Sequence, residues 1–427
     1  MNDSSASAHF IDIDQISIGM FVILELSWLQ HPFAFNSFVI QSEAEIKTLR
    51  ELGLKKIRTD PLRSKLIAAT TSTPASSSDS PETVVPSATG NDTISAEKLA
   101  RREQNLALRN NIASAEKQAS HTASQIRQSA KQFYSDPPRA IAGTESLINS
   151  IAETLLANSD VMVHLLNDKV GGEEIYHHAL NVTMLALLLG KAMAYDAATL
   201  QNIGMAAVFH DIGKEEIPSR VLLKTEPWTH AEEMLVRDHV QKGAEAAARG
   251  GLPPAVIAGI LQHHENLDGT GYPHHPPAEK IGPVPRLIAI VNHYDNLCNP
   301  VNVANALTPY EALSTMFAKR KGWFDNAMLS KLVQILGVYP PGSIVRLSNG
   351  ATGMVISVNS ARPLKPLVLV HDASIPKEEA LIIDLDKEPG LIISKSLRPS
   401  TLAPSVHAYL SPRKRTTYFF GDGSNSG

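Results

Sequence analysis

The feature that most constrains this chain is its central segment, residues 137–338, which is apolar, patterned like helices, and holds most of the sixteen histidines. Its main histidines each begin or end an apolar run of helical length: His178, His210, His239, His263 and His264. One histidine at a helix end is most often a surface or hydrogen-bonded residue, but the joint placement of five points to a shared site. The segment therefore predicts a mainly helical catalytic domain.

Smaller regions are predicted on the N-terminal side of this segment. Residues 10–70 predict a small α+β domain, with a helix that is capped by Ser42 and stops at Gly53. Its strands are predicted at three short apolar runs, residues 11–13, 19–24 and 56–59. Residues 71–93 are rich in Ser, Thr and Pro, which predicts a flexible linker.

Residues 94–135 predict a long helix, because Ala, Gln, Arg and Lys dominate and neither Pro nor Gly interrupts them. Its sparse apolar positions leave two interpretations open, an exposed helix and a helix that dimerises or relays a signal.

Past Tyr339 the pattern changes to strand-length runs separated by turns, which predicts a small β extension over residues 339–410. The predicted strands cover residues 343–348, 352–359, 366–371 and 380–385. Residues 411–427 are basic and then rich in Gly and Ser, which predicts a tail. The predicted fold class is mainly α, with a small N-terminal α+β domain and a small C-terminal β domain.

Composition excludes several classes of function. The formal net charge of −4 argues against a binder of nucleic-acid polymers, which needs a basic surface to neutralise phosphates. The single cysteine, Cys298, permits no internal disulfide, which fits a reducing compartment. No apolar run is long enough to span a bilayer, and the N-terminus has no secretory pattern. These features predict a cytoplasmic protein.

The candidate metal site is centred on the adjacent residues His210 and Asp211, which follow an apolar helical run. Imidazole supplies a neutral nitrogen ligand, and a carboxylate with two oxygens can bridge two cations. Lys214 lies three residues after Asp211, where it could meet a phosphate oxygen. Glu174 lies four residues before His178, so both can share one helix face. Mixed imidazole and carboxylate ligands favour Fe, Mn or Zn over Mg or Ca.

Together, His178, the run from His210 to Lys214, His239 with Gly243, and the run His263 to Pro273 (HHENLDGTGYP) resemble the HD-GYP family of bacterial cyclic di-GMP phosphodiesterases. The last run matches the family pattern HHExxDGxGYP at every fixed position. Residues 10–70 resemble an uncharacterised N-terminal domain often fused to HD-GYP domains, and the segment from Tyr339 resembles a short β extension of some members.

The resemblance implies an HD-type helical bundle with two or three divalent metal ions, commonly iron or manganese. The implied metal ligands are Glu174, His178, His210, Asp211, His239, His263, His264 and, at the last ligand position, Asn292. Lys214 is implied to lie near the scissile phosphate. The implied loop residues that shape the substrate cleft are Gly269, Gly271, Tyr272 and Pro273. The same loop is implied to contact partner proteins such as diguanylate cyclases, and a homodimer is left open.

Two positions depart from the family pattern. Asn292 stands where the family has the first Asp of an Asp-x-x-Asp pair, with Asp295 as the second acid. A neutral Asn bridges cations poorly, so it is expected to weaken metal affinity or change the metal. The segment Asn299-Pro300-Val301 stands where many members have Arg-x-Tyr, whose Arg meets a substrate phosphate.

The expected activity is hydrolysis of cyclic di-GMP to pGpG, GMP or both. Two ions bridged by Asp211 would activate water and hold the phosphate, and Lys214 would offset charge in the transition state, so both residues are expected to be catalytic. Two alternatives stay open: an HD-GYP domain that binds cyclic di-GMP or a partner without turnover, and an HD hydrolase of another nucleotide.

Overall fold

The computed structural model describes residues 9–24, 26, 31, 33, 37–61, 64, 89–157, 161–165, 174–302, 305–359, 362–373, 375–377, 380–388, 390–410 and 418–422. Within these ranges the side chains of some helix and strand residues are not described, among them those of 161–165, 174–176 and 418–422. The fold is mainly helical, with a small sheet at each end, which confirms the predicted fold class. Among the helices described, none combines the length and the apolar character that crossing a membrane requires.

The N-terminal region is a four-stranded antiparallel sheet with one helix. The elements are β1 (His9–Asp12), β2 (Phe21–Ile23), β3 (Ser37–Val39), α1 (Glu43–Glu51) and β4 (Lys56–Thr59), and the strand order is β1-β4-β2-β3. The predicted capping of α1 is confirmed: the Ser42 hydroxyl accepts from the backbone of Glu45, and the Glu45 carboxylate accepts from the backbone of Ser42. The helix ends before Gly53, which has a left-handed φ of +70°.

The helical bundle occupies the middle of the chain. Its helices are α2 (Thr89–Phe133), α3 (Pro137–Ala157), α4 (Glu174–Ala192), α5 (Ala197–Phe209), α6 (Ser219–Leu222), α7 (His230–Arg237), α8 (His239–Arg249), α9 (Pro254–Gln262), α10 (Pro283–Cys298), α11 (Pro309–Lys319) and α12 (Asn326–Leu336). Helices α4, α5, α9 and α10 lie at the centre, because they are apolar on most faces and pack against one another.

Helix α2 begins at Thr89, inside the predicted linker, and its C-terminal part packs in the bundle. Every third or fourth residue from Ala119 to Phe133 is buried against α3 and α4. The side chains described between residues 103 and 118 are all exposed. A dimerising role for the helix stays a prediction.

The C-terminal region is a seven-stranded antiparallel sheet. Its strands are β5 (Val161–Leu165), β6 (Ile344–Leu347), β7 (Thr352–Asn359), β8 (Leu367–Val370), β9 (Leu381–Asp384), β10 (Ile393–Leu397) and β11 (Tyr418–Asp422), and α13 (Pro404–Leu410) precedes the last strand. Side chains alternate between two cores, as strand geometry requires. On β7, Met354 and Ile356 pack on the helical bundle, whereas Val355 and Val358 pack in the core of the sheet itself.

Three strands of this sheet were not predicted. Strand β5 lies within the segment predicted to be mainly helical, between α3 and α4, and pairs with β7. Strand β10 follows the last predicted strand and pairs with β6. Strand β11 lies in the predicted tail and pairs with β5 through Tyr418 opposite Leu165. All three are short strands that depend on pairing with distant parts of the chain, so local pattern alone does not reveal them.

Candidate metal centre

The five predicted histidines and Asp211 meet where the central helices end. His178 lies in the first turns of α4, His210 caps the C-terminus of α5, and Asp211 follows it. His239 is the first residue of α8, and His263 caps α9, with His264 next. A helix end allows the adjacent pairs to point into one site, whereas within a helix neighbouring side chains diverge by about 100°.

Each of three buried histidines donates one ring N–H to a backbone carbonyl of the helix that ends just before it or at it. The Nδ1–H groups of His210, His239 and His263 donate to the carbonyl oxygens three residues earlier, at 2.7, 2.6 and 2.7 Å. A carbonyl can only accept, so Nδ1 carries the proton and Nε2 carries a lone pair. This leaves three ring nitrogens directed at the site as electron-pair donors.

Asp211 lies between two groups of these nitrogens. Its Oδ2 is 3.6 Å from Nε2 of His178 and 3.3 Å from Nε2 of His210. Its Oδ1 is 3.2 Å from Nε2 of His239 and 3.7 Å from Nε2 of His263. The side chain is only 10% exposed. Two oxygens of one carboxylate thus serve two separate groups of imidazoles, the arrangement of a bridging ligand.

Burial sets the charge of the site. It lowers the pKa of His210 and His264, and lowers that of His263 to about 3, so these rings are neutral near pH 7. Burial also opposes ionisation of Asp211, but the ammonium group of Lys214 beside its Oδ2 outweighs burial and holds its pKa well below the usual value. Neutral imidazole and ionised carboxylate are the forms that bind metals.

The residues present fit a divalent cation. Asp211 Oδ1 is buried and has no hydrogen-bond donor among the described residues, although two imidazole nitrogens lie near it. The Nε2 atoms of His239 and His263 are 3.3 Å apart, and those of His178 and His210 are 3.1 Å apart. Facing lone pairs repel one another unless a cation lies between them. The ligand atoms fall into two groups: His178, His210 and Asp211; and Asp211, His239, His263 and His264.

A further acidic residue orients His178. Asp295 is fully buried on α10, and its Oδ2 accepts from Nδ1–H of His178 at 2.6 Å. Its Oδ1 accepts amide hydrogens from Asn181 at 2.7 Å and from Asn299 at 2.8 Å. The carboxylate therefore fixes the ring of His178 with Nε2 free, as outer carboxylates do for metal-binding histidines.

The loop of residues 263–275 folds tightly over the second group of histidines. Glu265 is buried, and its Oε1 accepts from the backbone N–H groups of His274 at 2.6 Å and His275 at 3.1 Å. Tyr272 stacks on the ring of His264, with centroids 4.6 Å apart. A Cβ on Gly271 would lie 2.4 Å from the carbonyl oxygen of His264, so only glycine allows this turn.

A cleft of about 250 Å³ adjoins the second group of histidines. It lies between this loop, α10 and the residues before α12. Its lining is His263, His264, Asn266, Thr270, Gly271, Tyr272, Ala289, Asn292, His293, Asn296, Trp323 and Phe324. The cleft gives a ligand direct access to two of the imidazoles.

The profile of the HD domain family matches residues 151–328, which include all of these candidate ligands. The chain carries an HD domain. Residues 9–143 match a domain of unknown function, DUF3391, and residues 344–405 match a KOW domain associated with HD domains.

Similar proteins extend the likeness beyond the HD domain. The chain is 28% identical over 363 residues to a cyclic di-GMP phosphodiesterase of Pseudomonas aeruginosa, which covers 84% of each chain. It is 23% identical over 195 residues to the cyclic di-GMP phosphodiesterase PdeB of Borreliella burgdorferi, covering 45% of this chain and 52% of that relative. A solved structure of an HDG"Y"P protein from Bdellovibrio bacteriovorus shares 14% identity, covers 77% of this chain and 99% of that one, and has a TM-score of 0.44.

The HD domain brings most of the predicted site residues together. Lys214 is in contact with the site, since its Nζ lies 2.6 Å from Oδ2 of Asp211. Gly271 and Tyr272 line the cleft, whereas Gly269 and Pro273 do not. Glu174 begins α4, but its side chain lies outside the described residues.

Asn292 is buried on α10 and lines the cleft, and its Oδ1 accepts from the Asn296 amide at 2.8 Å. Several other lining residues of the cleft have no predicted role, among them His293 and Trp323. The sequence pattern predicts an ordinary histidine at position 293 and assigns no role to Trp323. Their role depends on the packing of α10 against the loop before α12, for which the sequence carries no local signal.

Gly213 is predicted to be essential for the position of His239 in the HD domain. A Cβ at Gly213 would lie 2.0 Å from the His239 carbonyl oxygen and 2.7 Å from the Gly243 backbone nitrogen. We expect Gly213→Ala to lower the free energy of unfolding by about 1–3 kcal/mol and to reduce the bound metal. Urea unfolding and metal analysis measure both effects. The control is Gly143→Ala on α3, where a Cβ meets nothing within 4 Å; equal behaviour of the two variants would contradict the prediction.

Proposed function

We propose that this protein is a metal-dependent phosphodiesterase that hydrolyses cyclic di-GMP to pGpG, GMP or both. The observation that carries the proposal is the position of Asp211, whose two oxygens face two separate groups of imidazole nitrogens. A site of this form suits two divalent ions and the cleavage of a phosphodiester. The similarity to named cyclic di-GMP phosphodiesterases supports the choice of substrate.

The proposed ligands follow the two groups around Asp211. His178 and His210 would hold one ion with Oδ2, and His239, His263 and His264 would hold the other with Oδ1. The mixed imidazole and carboxylate set favours iron, manganese or zinc over magnesium or calcium, and the absence of a thiolate disfavours a closed structural zinc site. Iron or manganese is proposed because the resemblance to the HD-GYP family implies these metals. Glu174 is proposed as a ligand of a third ion. When bound, the ions would supply Lewis acidity towards the phosphate and a water molecule acidic enough to attack it.

The protein groups have separate roles in this proposal. Lys214 places its ammonium group beside Oδ2 of Asp211, where it can bind a non-bridging phosphate oxygen and offset charge in the transition state. Asp295 keeps Nε2 of His178 directed at the site. The loop over His264 excludes water from one side and forms the wall of the cleft. The substrate would thus be held between Lys214 and the cleft.

A second candidate is a domain that binds cyclic di-GMP or a partner protein without hydrolysis. Asn292 favours it, because a neutral amide stands at an implied ligand position and its oxygen already accepts from Asn296. A weaker metal site could hold a nucleotide and turn it over poorly. The loop that includes Tyr272 is then the proposed contact for signalling partners.

Incubation of the full chain, purified without oxygen and loaded with Fe(II) or Mn(II), with cyclic di-GMP tests the proposal. We expect pGpG or GMP to accumulate, and chelation with EDTA to stop the reaction, as chromatography of the nucleotides will show. Cyclic di-AMP and 3′3′-cGAMP are the comparison substrates. Binding of cyclic di-GMP by calorimetry without product would favour the second candidate, and faster hydrolysis of another nucleotide would reassign the substrate.

A further inference from the structure

We propose that the cleft beside the HD-domain histidines is a binding subsite for one purine base of the substrate, with Trp323 as its stacking surface. This proposal rests on the proposed function, because it assigns a place to part of that substrate. The cleft shares His263 and His264 with the candidate metal centre. A base bound there leaves the phosphodiester attached to its ribose beside the metal ligands.

The size of the cleft fits part of a dinucleotide. Pockets that enclose a drug-sized ligand measure about 300–1,000 Å³, and this one measures about 250 Å³. It can hold one base, whereas the second nucleotide has to lie outside it. A cyclic dinucleotide would therefore bind with its two bases in different surroundings.

The walls of the cleft are aromatic. Trp323, Phe324 and Tyr272 line it together with the imidazole of His293. The ring centroid of His293 is 5.8 Å from that of Trp323 and 5.3 Å from that of Phe324. Aromatic side chains of this kind bind nucleic-acid bases by stacking.

The polar part of the lining is uncharged. It consists of the amides of Asn266, Asn292 and Asn296, the hydroxyl of Thr270 and imidazoles, with no carboxylate or basic chain among the described lining residues. Such a lining suits the hydrogen-bonding edge of a neutral base better than a phosphate, which would need a cation or a helix terminus. The Nε2 atom of His293 is buried without a hydrogen-bond partner among the described residues, so it is free to bond a base edge.

Two contacts hold the indole of Trp323 in place. The guanidinium of Arg320, which does not line the cleft, lies over the ring at 4.3 Å from its centroid. The backbone carbonyl of Trp323 accepts from the backbone N–H of Leu267 at 3.0 Å, which ties it to the loop over the histidines. The hydrogen bond between Leu267 and Trp323 therefore keeps the backbone that carries the indole next to the loop over the histidines. Because this bond is between backbone atoms, replacing the indole leaves it intact.

Comparison of Trp323→Leu with Trp323→Phe tests the proposal. Leucine keeps an apolar side chain but removes the aromatic face, whereas phenylalanine keeps the face. We expect Trp323→Leu to weaken binding of GMP and to raise KM for cyclic di-GMP about tenfold, with kcat changed little, and Trp323→Phe to stay close to the wild-type protein. Trp228→Leu is the matched control, because Trp228 is exposed and does not line the cleft.

A spectroscopic readout separates stacking from a structural role and needs no turnover. In a protein carrying Trp28→Phe and Trp228→Phe, Trp323 is the remaining tryptophan. We expect GMP to quench its fluorescence, and ribose 5-phosphate, which lacks a base, to leave it unchanged. Equal quenching by ribose 5-phosphate, or no response to GMP, would overturn the proposal.

The outcomes distinguish this proposal from the proposed function. Hydrolysis of cyclic di-GMP with the same KM in the wild-type protein and in Trp323→Leu would overturn the subsite alone. GMP binding that depends on Trp323, in a protein that hydrolyses no cyclic dinucleotide, would support the subsite and contradict the activity. Failure of the wild-type protein to bind GMP or cyclic di-GMP would overturn both.

Discussion

Asp211→Asn will release most of the divalent metal and reduce hydrolysis of cyclic di-GMP below detection. Asparagine has nearly the same shape, but it is neutral and replaces one of the two ligand oxygens with an NH₂ group, which cannot coordinate. Because Oδ1 and Oδ2 face different groups of imidazoles, the substitution affects both halves of the site. Loss of an outer partner of a metal ligand already lowers affinity about 10- to 100-fold, so we expect a loss of at least about a hundredfold here.

The metal content per chain is the direct measurement, by elemental analysis of protein purified without oxygen. Asp238→Asn is the control, since Asp238 is adjacent to His239 but is 50% exposed and pairs with Lys242 at 3.6 Å. It should keep its metal and activity. Without metal, Asp211→Asn should unfold at a lower urea concentration than the wild-type protein, because it loses the ion pair with Lys214, so metal content is compared without denaturant, where both proteins are folded. Full metal occupancy in Asp211→Asn would disprove the bridging role.

The parts of the fold and site that could be predicted from sequence depend on neighbours in the chain. The Ser42 cap of α1 and the position of His210 and His263 at helix ends are set by residues within one or two turns, and the structure has them as expected. The same locality makes Asp211 and Lys214 recognisable as a pair, three residues apart and in contact.

The parts that could not be predicted depend on contacts between distant residues. His178 and Asp295 are 117 residues apart, and only the packing of α4 against α10 brings them together. Strand β11 gains its hydrogen bonds from β5, more than 250 residues earlier in the chain. The aromatic wall formed by Trp323 has no motif of its own. Such features require tertiary structure, because each residue taken alone is indistinguishable from a common core or surface residue.

Asn292→Asp is expected to make stability strongly dependent on metal. Asn292 is 2% exposed, and Asp295, one turn further along α10, is fully buried and carries a carboxylate. Aspartate at position 292 would fill the same volume as asparagine. In the metal-free protein, however, it would place a second buried negative charge there without a cation beside it. An uncompensated buried charge costs about 3–5 kcal/mol. The metal-free variant should therefore be less stable than the metal-free wild-type protein by about this amount.

Bound cations remove that cost, because the new carboxylate then has an opposite charge beside it. The free-energy cost of the buried carboxylate is present only in the metal-free protein, so metal binding relieves it. The variant is therefore expected to bind metal more tightly than the wild-type protein. A difference of about 3 kcal/mol corresponds to roughly a hundredfold in affinity. Titration of metal-depleted protein with Mn(II), followed by calorimetry and by the shift in melting temperature, measures this. Asn292→Ala is the neutral control: it loses the bond from Asn296, which an aspartate can still accept, but it should be destabilised equally with and without metal.

The same variant decides between hydrolysis and binding alone. If the neutral amide at position 292 limits the metal site, Asn292→Asp should raise metal occupancy and hydrolysis of cyclic di-GMP together. If the wild-type site is already fully occupied by metal, the metal content per chain cannot increase. The new negative charge should then change the geometry of the site and lower kcat. Metal affinity that is unchanged in Asn292→Asp would show that this side chain does not face the cations, and would remove it from the proposed ligand set.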